Sequence, residues 1–249
     1  MKVVTLGVGE AFDEMQPNNS HLVLSDKGNI LLDCGYSVPH QLWKYDNDPD
    51  MIDAVFLSHI HSDHTGGINA ILMRMWEDGR HKLLIIFSAT SIIKDIEEQL
   101  LNRYPGFRKR FGYDIRYIGV EPGKSEKVGG LTLNFAQTVH SASNLAVSIT
   151  DGKNKISYSG DGEFTDTSIA LYKGSDLLIH EAYLIDTEAN GHGSIKKVIE
   201  MAEKNEISCL ALTHIKRKVR QEQMDAIKKI ADESSIKVTV PEALEQTFG

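Results

Sequence analysis

The chain has 249 residues, of which 41% are hydrophobic and 25% charged, a composition that supports a folded core and excludes a disordered or low-complexity protein. The formal net charge of -8 argues against broad attraction of polyanions such as nucleic acids. No apolar run approaches the roughly 20 residues that cross a bilayer, and the N-terminus lacks the pattern of a secretory signal, so we expect one cytoplasmic domain over residues 1–249, away from any membrane.

Hydrophobic periodicity predicts that the first half of the chain is a β-meander followed by alternating strands and helices. Residues 26–29, Asp-Lys-Gly-Asn, predict a hairpin turn, and the continuous apolar run Met51–Leu57 is typical of a strand buried on both faces. The predicted elements of this half are strands near Lys2–Leu6, His21–Ser25, Ile30–Asp33, Met51–Leu57 and Leu83–Phe87, and helices near Gly66–Trp76 and Ser91–Tyr104.

The second half repeats this order, with short strands first and alternating strands and helices afterwards. Asp151-Gly152 predicts a hairpin turn. We therefore expect an α/β protein of two similar halves, whose mixed sheets face each other with helices outside. The predicted elements are strands at Leu131–Val139, Leu145–Thr150, Lys155–Ser159, Asp176–Ile179, Ile207–Thr213 and Ile236–Val240, and helices at Ser194–Lys204 and Gln221–Glu233.

Four potential metal ligands lie within six residues, directly after the predicted strand Met51–Leu57. They are His59, His61, Asp63 and His64. Three imidazoles and a carboxylate crowded into one loop need their repulsion and desolvation to be offset, and a divalent cation does this directly. Because residues two apart in an extended segment point the same way, His59 and His61 can bind one metal together.

The signature His-x-His-x-Asp-His after a buried strand resembles that of the metallo-β-lactamase superfamily, and the resemblance covers essentially the whole chain. It implies a four-layered αβ/βα sandwich with two metals at one edge between the sheets. It also implies three further ligands at strand ends, for which His140, Asp161 and His214 are the candidates. By resemblance, one metal is held by His59, His61 and His140, the second by Asp63, His64 and His214, and Asp161 bridges both.

This predicted ligand set consists of imidazoles and carboxylates without a thiolate. Zinc is the expected metal, and manganese or iron also suits these donors. Flavodiiron oxygen reductases of the same superfamily have a glutamate where this chain has His61. A redox di-iron role is therefore the less favoured alternative.

Two further motifs resemble those of ribonuclease Z and its phosphodiesterase relatives. They are Ile179-His180-Glu181-Ala182 and Gly191-His192-Gly193-Ser194, and Asp33-Cys34-Gly35 and Thr213-His214 match the same group. The resemblance implies that His192 donates a proton or contacts phosphate and that Glu181 orients it. A carboxylate beside a histidine stabilises the imidazolium and fixes its tautomer.

The chain departs from the tRNA-processing members of that group in one segment. Those enzymes carry a long Gly/Pro-rich arm that grips tRNA, whereas His140 and Asp161 are joined here by a predicted short hairpin. We therefore expect a small anionic substrate, such as a nucleotide or a short phosphodiester, and not structured tRNA.

The predicted reaction is hydrolysis of a phosphodiester by metal-bound hydroxide, with Asp63, Glu181 and His192 as catalytic residues. Another hydrolase activity of the same fold, on a thioester, lactone, sulfate ester or β-lactam, is an alternative, because the metal site alone does not separate these reactions. A metal-containing binding or sensor protein without turnover is a second alternative. Members of the superfamily are often dimers, so a homodimer is also an option.

Two cysteines and two basic runs are the remaining features of the sequence that carry predictions. Cys34 and Cys209 lie in apolar strand-like sequence and are predicted to be buried, unpaired thiols. The basic run at residues 103–110 is predicted to be a solvated face. The run from Lys216 to Arg220 follows His214 directly and would attract an anionic substrate if it lines the rim of the site.

Overall fold

The computed structural model describes residues 1–187 and 189–249, without the side chains of residues 107 and 108. The basic side chain of Arg108 therefore lies outside the described residues.

In the described part of the chain the strands are β1 Lys2–Gly7, β2 Ser20–Leu24, β3 Ile30–Leu32, β4 Ala54–Phe56, β5 Leu84–Ala89, β6 Ile115–Val120, β7 Ser125–Val128, β8 Leu131–Gln137, β9 Leu145–Thr150, β10 Lys155–Tyr158, β11 Leu177–Glu181, β12 Cys209–Thr213, β13 Lys237–Thr239 and β14 Gln246–Phe248. The α-helices there are α1 Val38–Tyr45, α2 Ser62–Thr65, α3 Ile68–Glu77, α4 Ile93–Arg103, α5 Asp166–Tyr172, α6 Ile195–Lys204 and α7 Arg217–Asp232.

The strands form two mixed sheets, each with seven strands among the described residues. The first has the order β14-β1-β2-β3-β4-β5-β6 and the second β13-β12-β11-β10-β9-β8-β7. In both sheets an antiparallel meander is followed by parallel strands, β3 to β6 in the first and β10 to β13 in the second. The predicted arrangement of two similar halves is confirmed.

The inner faces of the two sheets pack against each other. Phe56 of β4 stacks on Phe135 of β8, with ring centroids 5.7 Å apart. In β11, Leu177 and Ile179 join this inner core, whereas Leu178 packs with the apolar faces of α6 and α7. This alternation follows from the period of two in a strand, and it buries both faces of the sheet. The predicted αβ/βα sandwich is therefore confirmed.

The helix predictions need correction at four places. Helices α1, α2 and α5 were not predicted, because they span only eight, four and seven residues, about two turns or less, and offer little apolar periodicity. Their start signals are nevertheless present, since Pro39 lies in the first turn of α1 and Thr165 forms a capping box with Ser168 before α5.

Helix α7 begins at Arg217 instead of the predicted Gln221, and its geometry is non-helical at Gln223. A basic first turn opposes the helix dipole. Ion pairs of Arg217 with Glu10 and of Arg220 with Glu242 compensate for this, and they depend on tertiary structure. Similarly, the predicted strand Met51–Leu57 is regular only over Ala54–Phe56.

Other features of the sequence are confirmed. The turns at residues 26–29 and at Asp151-Gly152 join antiparallel strand pairs. Cys34 and Cys209 are both buried and unpaired. Among the described residues, no helix has the length and apolar character needed to span a membrane.

Candidate metal centre

The predicted ligands lie just beyond the carboxyl ends of strands from both sheets. β4 leads to His59, β10 leads to Asp161 and β12 leads to His214, while β8 leads to His140. Because parallel strands end at a common edge of the sheet, the residues that follow them are brought together. The structure gathers all seven predicted ligand side chains in one cluster: His59, His61, Asp63, His64, His140, Asp161 and His214.

Three imidazoles form one part of the cluster, which we call the three-histidine group. His61 Nδ1 lies 2.9 Å from His59 Nε2 and 3.2 Å from His140 Nε2. Burial lowers the pKa of His59 and His140, with further contributions from neighbouring charges. These imidazoles are therefore held in the neutral form, which is the form that binds metals.

Asp63, His64, Asp161 and His214 form the second part, the acidic group. His64 Nε2 lies 3.3 Å from both Asp63 Oδ2 and Asp161 Oδ1, and His214 Nε2 lies 3.4 Å from Asp161 Oδ2. Asp161 also approaches the three-histidine group, with Oδ2 4.0 Å from His59 Nε2 and 3.9 Å from His140 Nε2. It therefore lies between the two groups.

The acidic group attracts positive charge. Burial opposes ionisation of Asp63, but the adjacent imidazoles of His214 and His64 outweigh it and hold the pKa of the carboxyl well below its usual range. Burial likewise opposes protonation of His64, yet Asp161 and Asp33 raise its pKa well above the usual value. A divalent cation would satisfy the same carboxylates without requiring protonated imidazoles.

Unpartnered buried atoms test whether these residues fit a metal. His64 Nε2 and Asp161 Oδ1 are both buried, and neither has a hydrogen-bond partner in the structure. Buried polar atoms without partners are costly, and a cation bound between them would offset that cost. Their position, and a donor set of imidazoles and carboxylates, fit divalent metal binding.

The backbone at Asp161 is fixed by Asn144 and Gly160, which no sequence motif indicated. Asn144 Nδ2 donates to the carbonyl oxygens of Ser159 and Asp161, at 3.0 and 2.6 Å, and Asn144 Oδ1 accepts from Asp161 N. Gly160 has φ +61°, and a Cβ there would lie 2.6 Å from Asn144 Oδ1. Glycine is therefore required before Asp161.

A buried carboxylate supports His64 from the side opposite the cluster. Asp33 accepts hydrogen bonds from His64 Nδ1, Ser58 N, Ser58 Oγ and the hydroxyl of Tyr158. In the sequence, Asp33 is recognisable only as part of a family motif, and this role is not predicted from it. The sequence feature that could have indicated this role is a carboxylate at the end of an apolar strand, because a buried carboxylate requires hydrogen-bond partners.

The side chains of His192 and Glu181 lie next to the cluster. The ring centroids of His192 and His140 are 5.0 Å apart. Glu181 is fully buried; its Oε1 accepts from Gly193 N at 2.6 Å, and its Oε2 lies 3.5 Å from His192 Nδ1. Burial raises the pKa of Glu181, while His192 acts in the opposite direction.

The basic residues that follow His214 differ in their contacts. Arg217 Nη1 lies 2.6 Å from the buried carboxylate of Glu10, and Arg220 is itself buried against Glu242. Lys216 has no carboxylate partner among the described residues; its Nζ lies 5.8 Å from the centroid of the Tyr183 ring. Only part of the run is therefore available to a substrate.

Comparison with known proteins gives one family and several relatives. Residues 1–232 match the family model described as anti-Pycsar protein Apyc1. The chain is 28% identical over 224 residues to the probable metallo-hydrolase YhfI of Bacillus subtilis, covering 86% of this chain and 87% of the relative. It is 26% identical to ribonuclease BN of Citrobacter koseri, with coverage of 86% and 89%. It is also 26% identical to anti-Pycsar protein Apyc1 of Paenibacillus harenae, with coverage of 82% and 85%.

The crystal structure of the metallo-β-lactamase fold protein YhfI from Bacillus subtilis superimposes with a TM-score of 0.82 at 25% identity, covering 100% of this chain and 98% of that one. The resemblance to the metallo-β-lactamase superfamily is confirmed, and so is the ribonuclease Z-like branch. The chain belongs to the anti-Pycsar protein Apyc1 family, within the metallo-hydrolases of the metallo-β-lactamase fold.

Proposed function

We propose that this chain is a single-domain hydrolase that binds two divalent cations and cleaves a phosphodiester in a small anionic substrate. Zinc is the expected metal. The observation that carries the proposal is the position of Asp161, which lies within 4.0 Å of nitrogens in both the three-histidine group and the acidic group. A carboxylate shared in this way suits a pair of cations better than a single one.

The three-histidine group would hold one cation, and Asp63, His64 and His214 would hold the other, with Asp161 shared. Bound cations supply Lewis acidity and lower the pKa of water from about 15.7 to about 7. Asp63 accepts a hydrogen bond from the attacking water and orients it, since the low pKa of Asp63 keeps it ionised. Asp63 therefore orients the water molecule that attacks the phosphodiester.

His192 protonates the leaving oxygen or binds the phosphate. Its position beside His140 supports this role, and so does the buried carboxylate of Glu181 next to its Nδ1. A hydrogen bond from Gly193 N fixes the other oxygen of Glu181, so the carboxylate does not turn away. A thioester, one of the alternative substrates, does not require a proton donor beside the ligands in the same way, because its thiolate leaving group is already stable.

The length of the segment between His140 and Asp161 supports a small substrate. Strands β9 and β10 pair antiparallel through the turn at residues 151–154, and this hairpin occupies most of the segment. No extended arm is present there to hold a large folded RNA. The relative named ribonuclease BN and this chain would therefore differ in substrate size while sharing the phosphodiester bond.

The proposal is tested by measuring metal content and hydrolysis on one preparation. We expect about two equivalents of metal per chain and cleavage of bis-p-nitrophenyl phosphate, lost on chelation and restored by zinc or manganese. A thioester and a lactone are assayed in parallel. The rate of hydrolysis of a nucleotide phosphodiester is also compared with that of a precursor tRNA, which tests the expected preference for a small substrate.

His140→Ala should lose both metal and activity. His81→Ala is the matched control, because the His81 side chain is 83% exposed on the surface. Cleavage of the thioester or lactone without the phosphodiester would move the chain to another hydrolase class. Inactivity of metal-replete protein on every ester would favour a binding or sensor role, and full activity without metal would refute the mechanism.

A further inference from the structure

Tyr183, two residues after Glu181, lies against the proposed proton donor. The rings of Tyr183 and His192 are stacked, with centroids 4.8 Å apart and planes inclined by 23°. On the metal side, His192 is also stacked with His214, at 5.7 Å and 13°. The imidazole of His192 therefore lies nearly parallel to both neighbouring rings.

The carboxylate of Glu181 does not by itself fix this imidazole. The distance from His192 Nδ1 to Glu181 Oε2 is 3.5 Å, longer than an ordinary hydrogen bond, and both atoms are buried without a partner in the structure. His192 also lies between Gly191 and Gly193, and Gly191 has φ +76°. The backbone of this segment does not fix the torsion angles of the His192 side chain, so the ring plane is held by packing.

The backbone of Tyr183 is tied to both sides of the site. Tyr183 N donates to Gly193 O at 2.9 Å, and Tyr183 O accepts from Lys216 N at 3.0 Å. One residue thus connects the segment that carries His192 with the segment that follows His214. A stacked aromatic pair of this kind contributes about 0.5–1.5 kcal/mol beyond its buried area.

We propose that Tyr183 is a positioning residue, whose ring holds His192 in the plane from which it donates a proton or contacts phosphate. This inference rests on the function proposed above. It assigns no chemical step to Tyr183, and the ring, not the hydroxyl, is the part that acts. Displacement of a reacting group by about 1 Å can lower a rate about 100-fold, so the ring plane matters.

The test compares Tyr183→Phe with Tyr183→Leu in metal-replete protein. The phenylalanine variant keeps the stacked ring, and we expect kcat within about twofold of the wild type. The leucine variant should lower kcat at least about tenfold, with KM and metal content little changed. Tyr45→Leu is the control, since Tyr45 is a partly buried tyrosine of α1, away from the cluster.

A double-mutant cycle with His192→Ala separates positioning from an independent role. If Tyr183 acts through His192, Tyr183→Leu has no further effect once His192 is removed. An equal loss in both backgrounds, or unchanged kcat in Tyr183→Leu, would overturn the inference.

Histidine side-chain NMR provides a readout that does not depend on activity. Stacking on Tyr183 should shift the His192 ring protons upfield in the wild type and in Tyr183→Phe, and Tyr183→Leu should lose this shift. If the wild type hydrolyses nothing, the proposed function fails while the stacking is still tested. Identical His192 resonances in all three proteins would refute the positioning role.

Discussion

His64 Nδ1 lies 2.7 Å from Asp33 Oδ2, and both side chains are fully buried. Since Asp33 also accepts hydrogen bonds from Ser58 and Tyr158, it is an acceptor on every side and fixes the proton of His64 on Nδ1. In the neutral imidazole, Nε2 is then the unprotonated nitrogen, and it faces Asp63 and Asp161. A carboxylate behind a histidine in this way sets both the tautomer and the direction of a metal ligand.

Replacing Asp33 with Asn should weaken metal binding about 10- to 100-fold, because the amide is a poorer acceptor from His64 and from Tyr158. The measurement is competition with a chelator of known affinity. Asp26→Asn, at an exposed turn, is the control and should bind metal as the wild type does. Equal affinities of Asp33→Asn and the wild type would show that Asp33 does not orient the ligand.

Replacing His192 with Ala should lower kcat by a factor of about 10² to 10⁴ if the residue is a general acid. Metal content should be unchanged, since His192 lies beside the seven proposed ligands and is not one of them. Glu181→Gln should lower kcat less, because the Gly193 hydrogen bond can be kept. Turnover of His192→Ala equal to the wild type, with full metal content, would remove His192 from the mechanism.

Charge reversal at Lys216 should raise KM for an anionic substrate, most strongly at low ionic strength. Lys216 is half-buried and has no carboxylate partner among the described residues, whereas Lys218, in the first turn of α7, is exposed. Lys218→Glu is therefore the matched control and should change KM less. Arg217→Glu is unsuitable, because it would place a second carboxylate beside the buried Glu10. If neither Lys216→Glu nor added salt changes KM, Lys216 does not contact the substrate.

Replacing Arg80 with Lys should lower the free energy of unfolding by about 2–4 kcal/mol. Arg80 is 1% exposed, and its guanidinium donates to four backbone carbonyls. The acceptors are the carbonyl oxygens of Pro49, Ile52, Lys82 and Leu83. A lysine amine cannot reach all of them from one atom. Urea unfolding measures the change, and the exposed Arg116→Lys should shift stability by no more than about 0.5 kcal/mol.

Acidification should destabilise the fold through His21. Burial lowers the pKa of His21 to about 3, so the folded protein keeps it neutral while the unfolded chain takes up a proton below about pH 6.5. The free energy of unfolding therefore falls as pH decreases from 6.5 towards 3. Between pH 7 and pH 5 the contribution of this residue is about 2 kcal/mol.

The His21 prediction is measured as the difference in unfolding free energy between the wild type and His21→Gln at each pH. Glutamine can still bond Thr5 and Asn19, the partners of the imidazole, but it does not titrate. The wild type should lose about 2 kcal/mol relative to the variant on going from pH 7 to pH 5. A difference that stays constant with pH would mean that His21 is not the titrating group.

The sequence by itself determined most of the strands and the first part of the candidate site, whereas the edge strands β6, β7 and β14 were not located by it. Alternation in segments such as Leu131–Gln137 reports which face of a strand is buried, because the period of two is a local property. The density of histidines from His59 to His64 likewise indicates a metal without any knowledge of the fold. The motif resemblance then extended this cluster to His140, Asp161 and His214.

Only the tertiary structure decided which groups support and surround that cluster. Asp33 meets His64 across 31 positions of sequence, and Tyr183 reaches His192 through a segment with no regular periodicity. The start of α7 also depended on ion pairs with residues far away in the chain. Burial, ring stacking and charge pairing at such separations arise from the packing of the two sheets, and no local pattern of side chains encodes them.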